Sequence, residues 1–404
     1  MADPVYSRRR VFHDETSTSL TQWETYMHRR KFIHAFTAGA GAVAMAGSLW
    51  QAAAADEAGP TASPYGPLLP VDGNSVALPQ GFTSRIVARS LQSVGGITWH
   101  AAPDGGACFP DGAGWVYVSN SELPLVGGVS AIRFNADASI NSAYRILDGT
   151  NLNCAGGATP WNTWLSCEEI FRGRVYETDP YGRNDAVAHG AMGRFKHEAA
   201  ACDPDRRVVY LTEDEDDGCL YRYTPAAWGD LSHGRLDVLC GTIDAVYWKE
   251  VPDPEPAVLE TQTRHQVDEA LHFDGGEGCH YSSGVCYFTA KGEHGVWAYN
   301  AVTNKLVSIY DGNGTLDGVD NITGTTAGDL YVAEDGGDME INIITTDGVV
   351  APVVRLDGQS ESEITGPAFS PDGTRLYFSS QRGHSGDKAG TDGITYEVTG
   401  PFRH

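Results

Sequence analysis

Six short segments of the chain repeat one pattern: an alternating or β-branched run with an aromatic at a fixed place, a small or hydroxyl residue, then polar or charged groups. They read WVYVSNSE from Trp115, NTWLSCEE from Asn162, VVYLTEDED from Val208, VCYFTAKGE from Val285, DLYVAEDGG from Asp329 and RLYFSSQRG from Arg375. The shared aromatics Tyr117, Trp164, Tyr210, Tyr287, Tyr331 and Tyr377 follow one another at intervals of 47, 46, 77, 44 and 46 residues. A period in the mid-forties with several short strands per unit marks the β-propeller blade, which buries its apolar faces only against neighbouring blades. Turn chemistry agrees: PDGAG at Pro110, ADAS at Ala136, DPDRR at Asp203 and SPDGT at Ser370 separate the strands. No window carries a sustained helical stripe. A β-sandwich with coincidental spacing would explain neither the period nor the recurring aromatic. The expected fold is therefore all-β: a six-bladed β-propeller in one domain over residues 75–404, with an insertion near 244–274 accounting for the long interval.

The first 55 residues read as an address. Arg29 and Arg30 are followed by Lys31, Phe32 and Ile33, then by a mild Gly/Ala-rich run and by Ala53-Ala54-Ala55 ahead of Asp56. This is the pattern of a twin-arginine signal peptide with its cleavage site, and it implies the twin-arginine export machinery as a partner and a secreted or periplasmic location. Translation starts at Met1 or at Met27, just before the pair. The apolar run is too short and too weakly apolar to span a bilayer. Residues 56–74 read as a linker.

Acidic residues outnumber basic ones 53 to 28, for a formal charge of −25. That balance disfavours nucleic acid and anionic membrane surfaces as partners and suits cations, so an anionic substrate would need metals or local basic groups to hold it. A monomer is expected. The eight cysteines all follow residue 100. In an exported protein they suggest disulfides, Cys279 with Cys286 across a hairpin and Cys202 with Cys219. Twin-arginine export moves folded proteins, so a thiolate metal ligand stands as the alternative for at least one cysteine.

The repeated segments end in acids. If each is the strand beside the channel, a ring forms at one mouth from Glu122, Glu168, Glu169, Glu213, Asp214, Glu215, Glu334, Asp335 and Gln381. Carboxylates crowded in this way cannot all ionise without compensation, and Ca²⁺, which takes six to eight oxygens, supplies it. A metal site at the channel mouth is the expectation. In NCAGGATPWNTWLSCEE, Cys154 and the Glu168/Glu169 pair flank a Gly-Gly and a Thr-Pro-Trp turn that fold the ends together, a donor set suited to iron. GRFKHEAA adds His197 and Glu198. Asp320 and Asn321 precede the fifth repeated strand, Glu363 and Thr365 the sixth. Serine-hydrolase, zincin and P-loop signatures are absent.

Taken together, LPQGFTSRIV from Leu78, NCAGGATPWNTWLSCEE, GRFKHE, DNI…GDLYVAED and EITGPAFSPDG…LYFSSQ resemble the PhoX alkaline phosphatase family, in the family's order from residue 78 to 383. The resemblance implies a six-bladed propeller holding Fe³⁺ and Ca²⁺ at the channel mouth and hydrolysing small phosphate esters outside the cytoplasm. It makes Cys154 an iron ligand. It places Glu198 and Glu277 as catalytic carboxylates and Glu169, Asp320 and Asn321 among the site residues, beside Glu122, Glu168, Glu213, Asp214, Glu334 and Asp335 from the acidic ring. One position departs from the family: an Arg two residues before a Glu ahead of the fourth repeated strand is here Gly275, before Glu277. Such an Arg grips a phosphoryl group bidentately, and without it phosphate affinity or turnover is expected to fall unless Arg264, Arg194 or Arg382 substitutes. Two other readings stay open: a calcium-dependent lactonase-type hydrolase, which needs no thiolate, and a non-catalytic propeller stabilised by Ca²⁺.

Overall fold

The structure, a computed structural model, describes residues 62–312 and 314–404. The signal, cleavage site and start codons read in residues 1–55 lie outside the described residues.

Six antiparallel sheets of four or more strands follow one another along the chain. The first strands of the six are Pro103–Asp111, Asn153–Ala158, His197–Asp203, Gly276–Ser282, Val319–Gly324 and Ile364–Phe369. These strands pack against one another from sheet to sheet and so surround the axis of a six-bladed propeller. Blade six is completed by Thr83–Arg89, which pairs with the last strand, Ile394–Thr399, in the register Thr83↔Thr399. The two ends of the fold thus share one sheet, and the ring closes without a free edge inside the blade.

The repeated aromatic segments are not the strands beside the axis. Gly114–Ser121, Trp164–Glu168, Val208–Glu213, Val285–Ala290, Leu330–Glu334 and Arg375–Ser380 are each the second strand of a blade. Flanked by strands on both sides and by blades on both faces, they are buried almost end to end, which is why they are continuously apolar. Their aromatics join blades. Tyr117 of blade one stacks on Tyr377 of blade six with centroids 4.9 Å apart, and Tyr331 of blade five meets Phe369 of blade six edge-on at 5.0 Å.

The insertion after blade three is partly structured. Ala245–Glu250 adds a fifth strand to that blade, and the chain then returns across it, pairing His272–Phe273 with Gly218 and Cys219. In the stretch read as a linker, Tyr65 packs edge-on against Phe82 and shares a 2.6 Å hydrogen bond with the hydroxyl of Tyr331. All eight cysteines are free thiols. Cys279 and Cys286 lie diagonally across the blade-four hairpin with sulfurs 3.4 Å apart, whereas Cys219 turns to Nδ1 of His272 at 3.6 Å rather than to Cys202. Among the described residues no helix is long and apolar enough to cross a membrane.

Candidate metal centre

Each innermost strand opens in the same way: P-D-G-G, N-C-A-G, H-E-A-A, G-E-G-C, V-D-N-I and I-T-G-P. The second residue of each is Asp104, Cys154, Glu198, Glu277, Asp320 or Thr365. A β-bulge falls there in blades one to five, and just after Thr365 in blade six; in blade one, for example, the pairing steps from Pro103↔Ser121 to Gly106↔Ser119. A bulge bends the strand and re-aims a side chain, here toward one end of the channel. The next residue is Gly or Ala in five of the six, because the strands nearly touch. A methyl on Gly105 would lie 2.5 Å from Cα of Ala155, and one on Gly278 2.5 Å from the amide nitrogen of Ile322.

The second strands contribute the residue just past their ends. Glu122, Glu169, Asp214, Lys291, Asp335 and Gln381 form an outer tier above the innermost one. Adjacent strand residues face opposite ways, so the preceding acids turn from the axis and brace their own loops. Glu168 accepts from the amides of Asn151 and Arg174 at 3.0 and 3.2 Å. Glu213 accepts from the Tyr221 hydroxyl at 2.7 Å and from Arg264 at 3.1 Å. Glu334 accepts from the amides of Asp317 and Glu340, each at 3.1 Å. None of these three belongs to the clusters that follow.

Three groups place ligand atoms within 4.8 Å of one another: Glu122, Cys154 and Glu169; Asp104, Glu122 and Glu363; and Glu198, Glu277 and Asp320. Glu122 belongs to two of them, and the Cys154 thiol lies 3.2 Å from Oε1 of Glu198. Burial raises the pKa of Glu198, Asp320, Asp104 and Glu363 well above the carboxylate range, and their acidic neighbours raise it further. Burial first, then Asp104, also pushes the Cys154 thiol up. Glu198 is fully buried and its Oε2 has no hydrogen-bond partner. An orphaned carboxylate oxygen, next to a thiol and other acids, fits a bound cation.

Three cations and two amides temper the charge. Lys196 pairs with Glu169 at 2.9 Å and with Asp214 at 2.7 Å. Lys291 lies 2.5 Å from Glu277, and Arg382 2.9 Å from Glu363. Gln381 donates to Asp104 at 2.6 Å and to Glu122 at 2.7 Å. Asn321 donates to Asp320 at 2.9 Å and accepts from the amide of Gly366 at 2.6 Å, so it orients Asp320. Gly275, at φ 66°, faces this rim: a side chain there would start 3.4 Å from Oδ1 of Asp214 and from Cβ of Lys291. Of the arginines considered as replacements, Arg264 is bound to Glu213 and Asp217, Arg194 to the carbonyls of Arg172 and Gly173, and Arg382 alone reaches the mouth.

The structure therefore brings together Cys154, Glu122, Glu169, Glu198, Glu277, Asp320 and Asn321, with Asp214 and Asp335 on the rim. It adds Asp104, Lys196 and Lys291, which the strand pattern did not single out. Asp104 sits in Pro-Asp-Gly-Gly, a run that reads as a turn. Aligning it with the openings of the other innermost strands would have exposed it.

A family model described as Alkaline phosphatase PhoX matches residues 120–184 and 172–305, which include Glu122, Cys154, Glu169, Glu198 and Glu277. Among solved structures, Pseudomonas fluorescens PhoX in complex with vanadate, a transition state analogue, is 17% identical, with a TM-score of 0.66 over 81% of this chain and 96% of that one. A gluconolactonase from Xanthomonas campestris is 16% identical, with a TM-score of 0.44 over 84% of this chain and 99% of that one. A calcium-binding regucalcin from Agrobacterium tumefaciens is 14% identical, with a TM-score of 0.47 over 79% and 96%. No curated protein matches the chain.

Proposed function

The chain belongs to the PhoX alkaline phosphatase family, and from that premise we propose that it is an exported monomeric enzyme that hydrolyses small phosphate esters with Fe³⁺ and Ca²⁺ held at the propeller mouth. The observation that carries the reading is the convergence of five acids or thiols, each the second residue of an innermost strand, from five blades onto one end of the axis. Export rests on Arg29 and Arg30 in the part of the chain outside the described residues.

The donor sets divide by softness. Cys154 with Glu122 and Glu169 mixes thiolate and carboxylate and suits iron. Asp104, Glu122 and Glu363, and likewise Glu198, Glu277 and Asp320, offer oxygen alone and suit calcium. Bound there, the cations neutralise charge on the phosphoryl oxygens and on the leaving oxygen. The chain's own groups do the rest. Lys196, Lys291 and Arg382 have side chains 29, 39 and 25% exposed, so each holds an acid on one side and presents N–H groups to an entering phosphoryl group on the other. Lys291, whose Cβ lies 3.4 Å from where a side chain at position 275 would start, supplies a cation on that side. In the cation-free site Glu277 is raised to about 7 by burial and held down by Lys291, and a cation bound beside it would favour its carboxylate form. Asn321 and Gln381 fix the orientation of Asp320 and Asp104. Glu168, Glu213 and Glu334 act from behind, holding the loops that carry Glu169, Asp214 and Asp335.

The test is hydrolysis of 4-nitrophenyl phosphate alongside elemental analysis of protein made in an exporting host. Turnover should require calcium and vanish on chelation. Cys154→Ser is expected to lose iron and to lower kcat by about a hundredfold, roughly 2.7 kcal/mol of barrier. Absence of turnover on mono- and diesters by protein loaded with both metals would sink the reading. Lactone hydrolysis left intact by Cys154→Ser, without turnover of phosphate esters, would favour a calcium-dependent hydrolase of the lactonase type.

A further inference from the structure

In a chain of net charge −25 most arginines of the described residues are ion-paired, yet three that are not lie together. Arg172 and Arg174 sit on the loop that leaves Glu169, and Arg194 lies two residues before Lys196. Arg194 is pinned to that loop: its Nε and Nη2 donate to the carbonyl of Arg172 at 2.8 and 2.6 Å, and Nε reaches that of Gly173 at 3.2 Å. The packing is close, since a methyl on Gly173 would lie 2.9 Å from the carbonyl oxygen of Phe195. The loop itself is fixed by a turn from Gly173 N to Ile170 O at 2.8 Å. Burial, then Arg174 and Arg172, lower the pKa of Arg194, so the three like charges feel one another. Glu255 and Glu168 lie close enough to counter them in part, but neither forms an ion pair with any of the three. Glu168 is occupied by backbone amides, and the Nη1 of Arg172 is buried without a partner.

One guanidinium pinned by hydrogen bonds to the loop that carries two more, with a buried nitrogen of Arg172 left unsatisfied, is the arrangement of an anion site. Lys196 continues the band inward to Glu169. Arg172 is three residues from Glu169, so their Cα atoms are at most about 11 Å apart. A sugar phosphorylated at both ends can bridge such a gap. We infer that Arg172, Arg174 and Arg194 form an anion subsite on the rim of the mouth that takes a second phosphoryl group of the substrate. The inference rests on the proposed phosphoesterase reading for its substrate role, though not for anion binding itself. It predicts a preference for bisphosphorylated over monophosphorylated esters.

Two measurements on the full mature protein test it. The first compares kcat/KM for glucose 1,6-bisphosphate and for glucose 6-phosphate. Their ratio should fall about tenfold in Arg172→Ala/Arg174→Ala, through KM rather than kcat. The second follows the anisotropy of pyranine, a trisulfonate dye whose sulfonates are poor ligands for hard metals. Wild type should bind it in a salt-sensitive manner, and the double variant and Arg174→Glu, whose exposed side chain makes no hydrogen bond that folding needs, should bind at least tenfold more weakly. Unchanged dye binding in both variants, or an unchanged substrate ratio in an active enzyme, overturns the subsite. Dye binding lost in the variants while wild type hydrolyses neither sugar phosphate supports the anion site and overturns the phosphoesterase reading instead.

Discussion

Position 278 lies between Glu277 and Cys279 where the innermost strands of blades four and five run side by side. A methyl there would meet the amide nitrogen of Ile322 at 2.5 Å and Cα of Asn321 at 2.7 Å. These are backbone atoms with no rotamer to give way, so the strands themselves must part. Gly278→Ala is expected to cost about 2 kcal/mol and to lower the melting midpoint by several degrees. The stabilisation gained from added calcium should fall with it, because Glu277 and Asp320 move apart. A midpoint within a degree of wild type would mean that the channel is looser than its geometry. Residues of this kind were hard to read in advance. Cys154 was legible because a thiol beside Gly-Gly and a Glu-Glu pair is unusual chemistry. Asp104 was hidden in turn-like composition, and Lys291 was hidden because its meaning depends on five other blades presenting an acid or amide at the same place.

At the scale of the strand, the apolar second strands are the part of each blade that announces itself, since only a strand buried on all sides is continuously apolar. The strands that carry the centre read NCAGGA, HEAAACD and GEGCHYS. The axis leaves them no room for large side chains, so the hydrophobic signal fades where the site is built, and the period was legible one strand too far out. The bulges were illegible for a related reason, because a one-residue slip between short strands leaves no compositional mark. Those bulges turn Asp104, Glu198 and Asp320 inward, with Glu363 beside them. All four are raised by burial first, and then by Glu122, Glu277, Glu277 and Asp335 respectively. An acid whose folded pKa is raised stabilises the fold while protonated; that contribution is full below the unfolded pKa near 4 and is lost as pH rises through the folded value. Glu277, raised by burial to about 7, puts part of that loss between pH 7 and 8, so chelated protein should melt lower at pH 8 than at pH 7. His197 and His280, pushed down by burial to about 3 and about 4, are mostly neutral in both states across that window and do not oppose the trend. Calcium should flatten the slope. Equal slopes with and without calcium would show that these acids are not where the cation binds.

For the whole molecule the question is where the ring is sealed, since a centre fed by six blades survives only while they stay in register. The seal is Thr83–Arg89 against Ile394–Thr399, and its polar pivot is Glu397, 2% exposed. Glu397 takes Arg85 at 2.6 Å, Arg375 at 2.7 Å and the hydroxyl of Tyr377 at 2.5 Å. Tyr377 in turn stacks on Tyr117, so the same residue reaches the seam between blades six and one. That seam divides the candidate metal ligands unequally. Glu363 and Gln381 stand on blade six and Asp104 and Glu122 on blade one, whereas Cys154, Glu198, Glu277 and Asp320 lie on blades two to five. Glu397→Ala removes the acceptor and strands two guanidiniums and a buried phenol. Discounted for Arg85, which is 41% exposed, the loss is expected at about 2 kcal/mol. It should not fall evenly on the centre. Calcium affinity at Asp104, Glu122 and Glu363 should drop first, while iron, which shares Glu122 but is held also by Cys154 and Glu169 of blade two, is lost only at higher chelator, which metal analysis after dialysis against graded chelator would resolve. Loss of both metals in parallel would mean that the ring opens as one unit. Loss of neither, with the expected fall in melting midpoint, would mean that the outer strands seal the fold without setting the spacing at its axis.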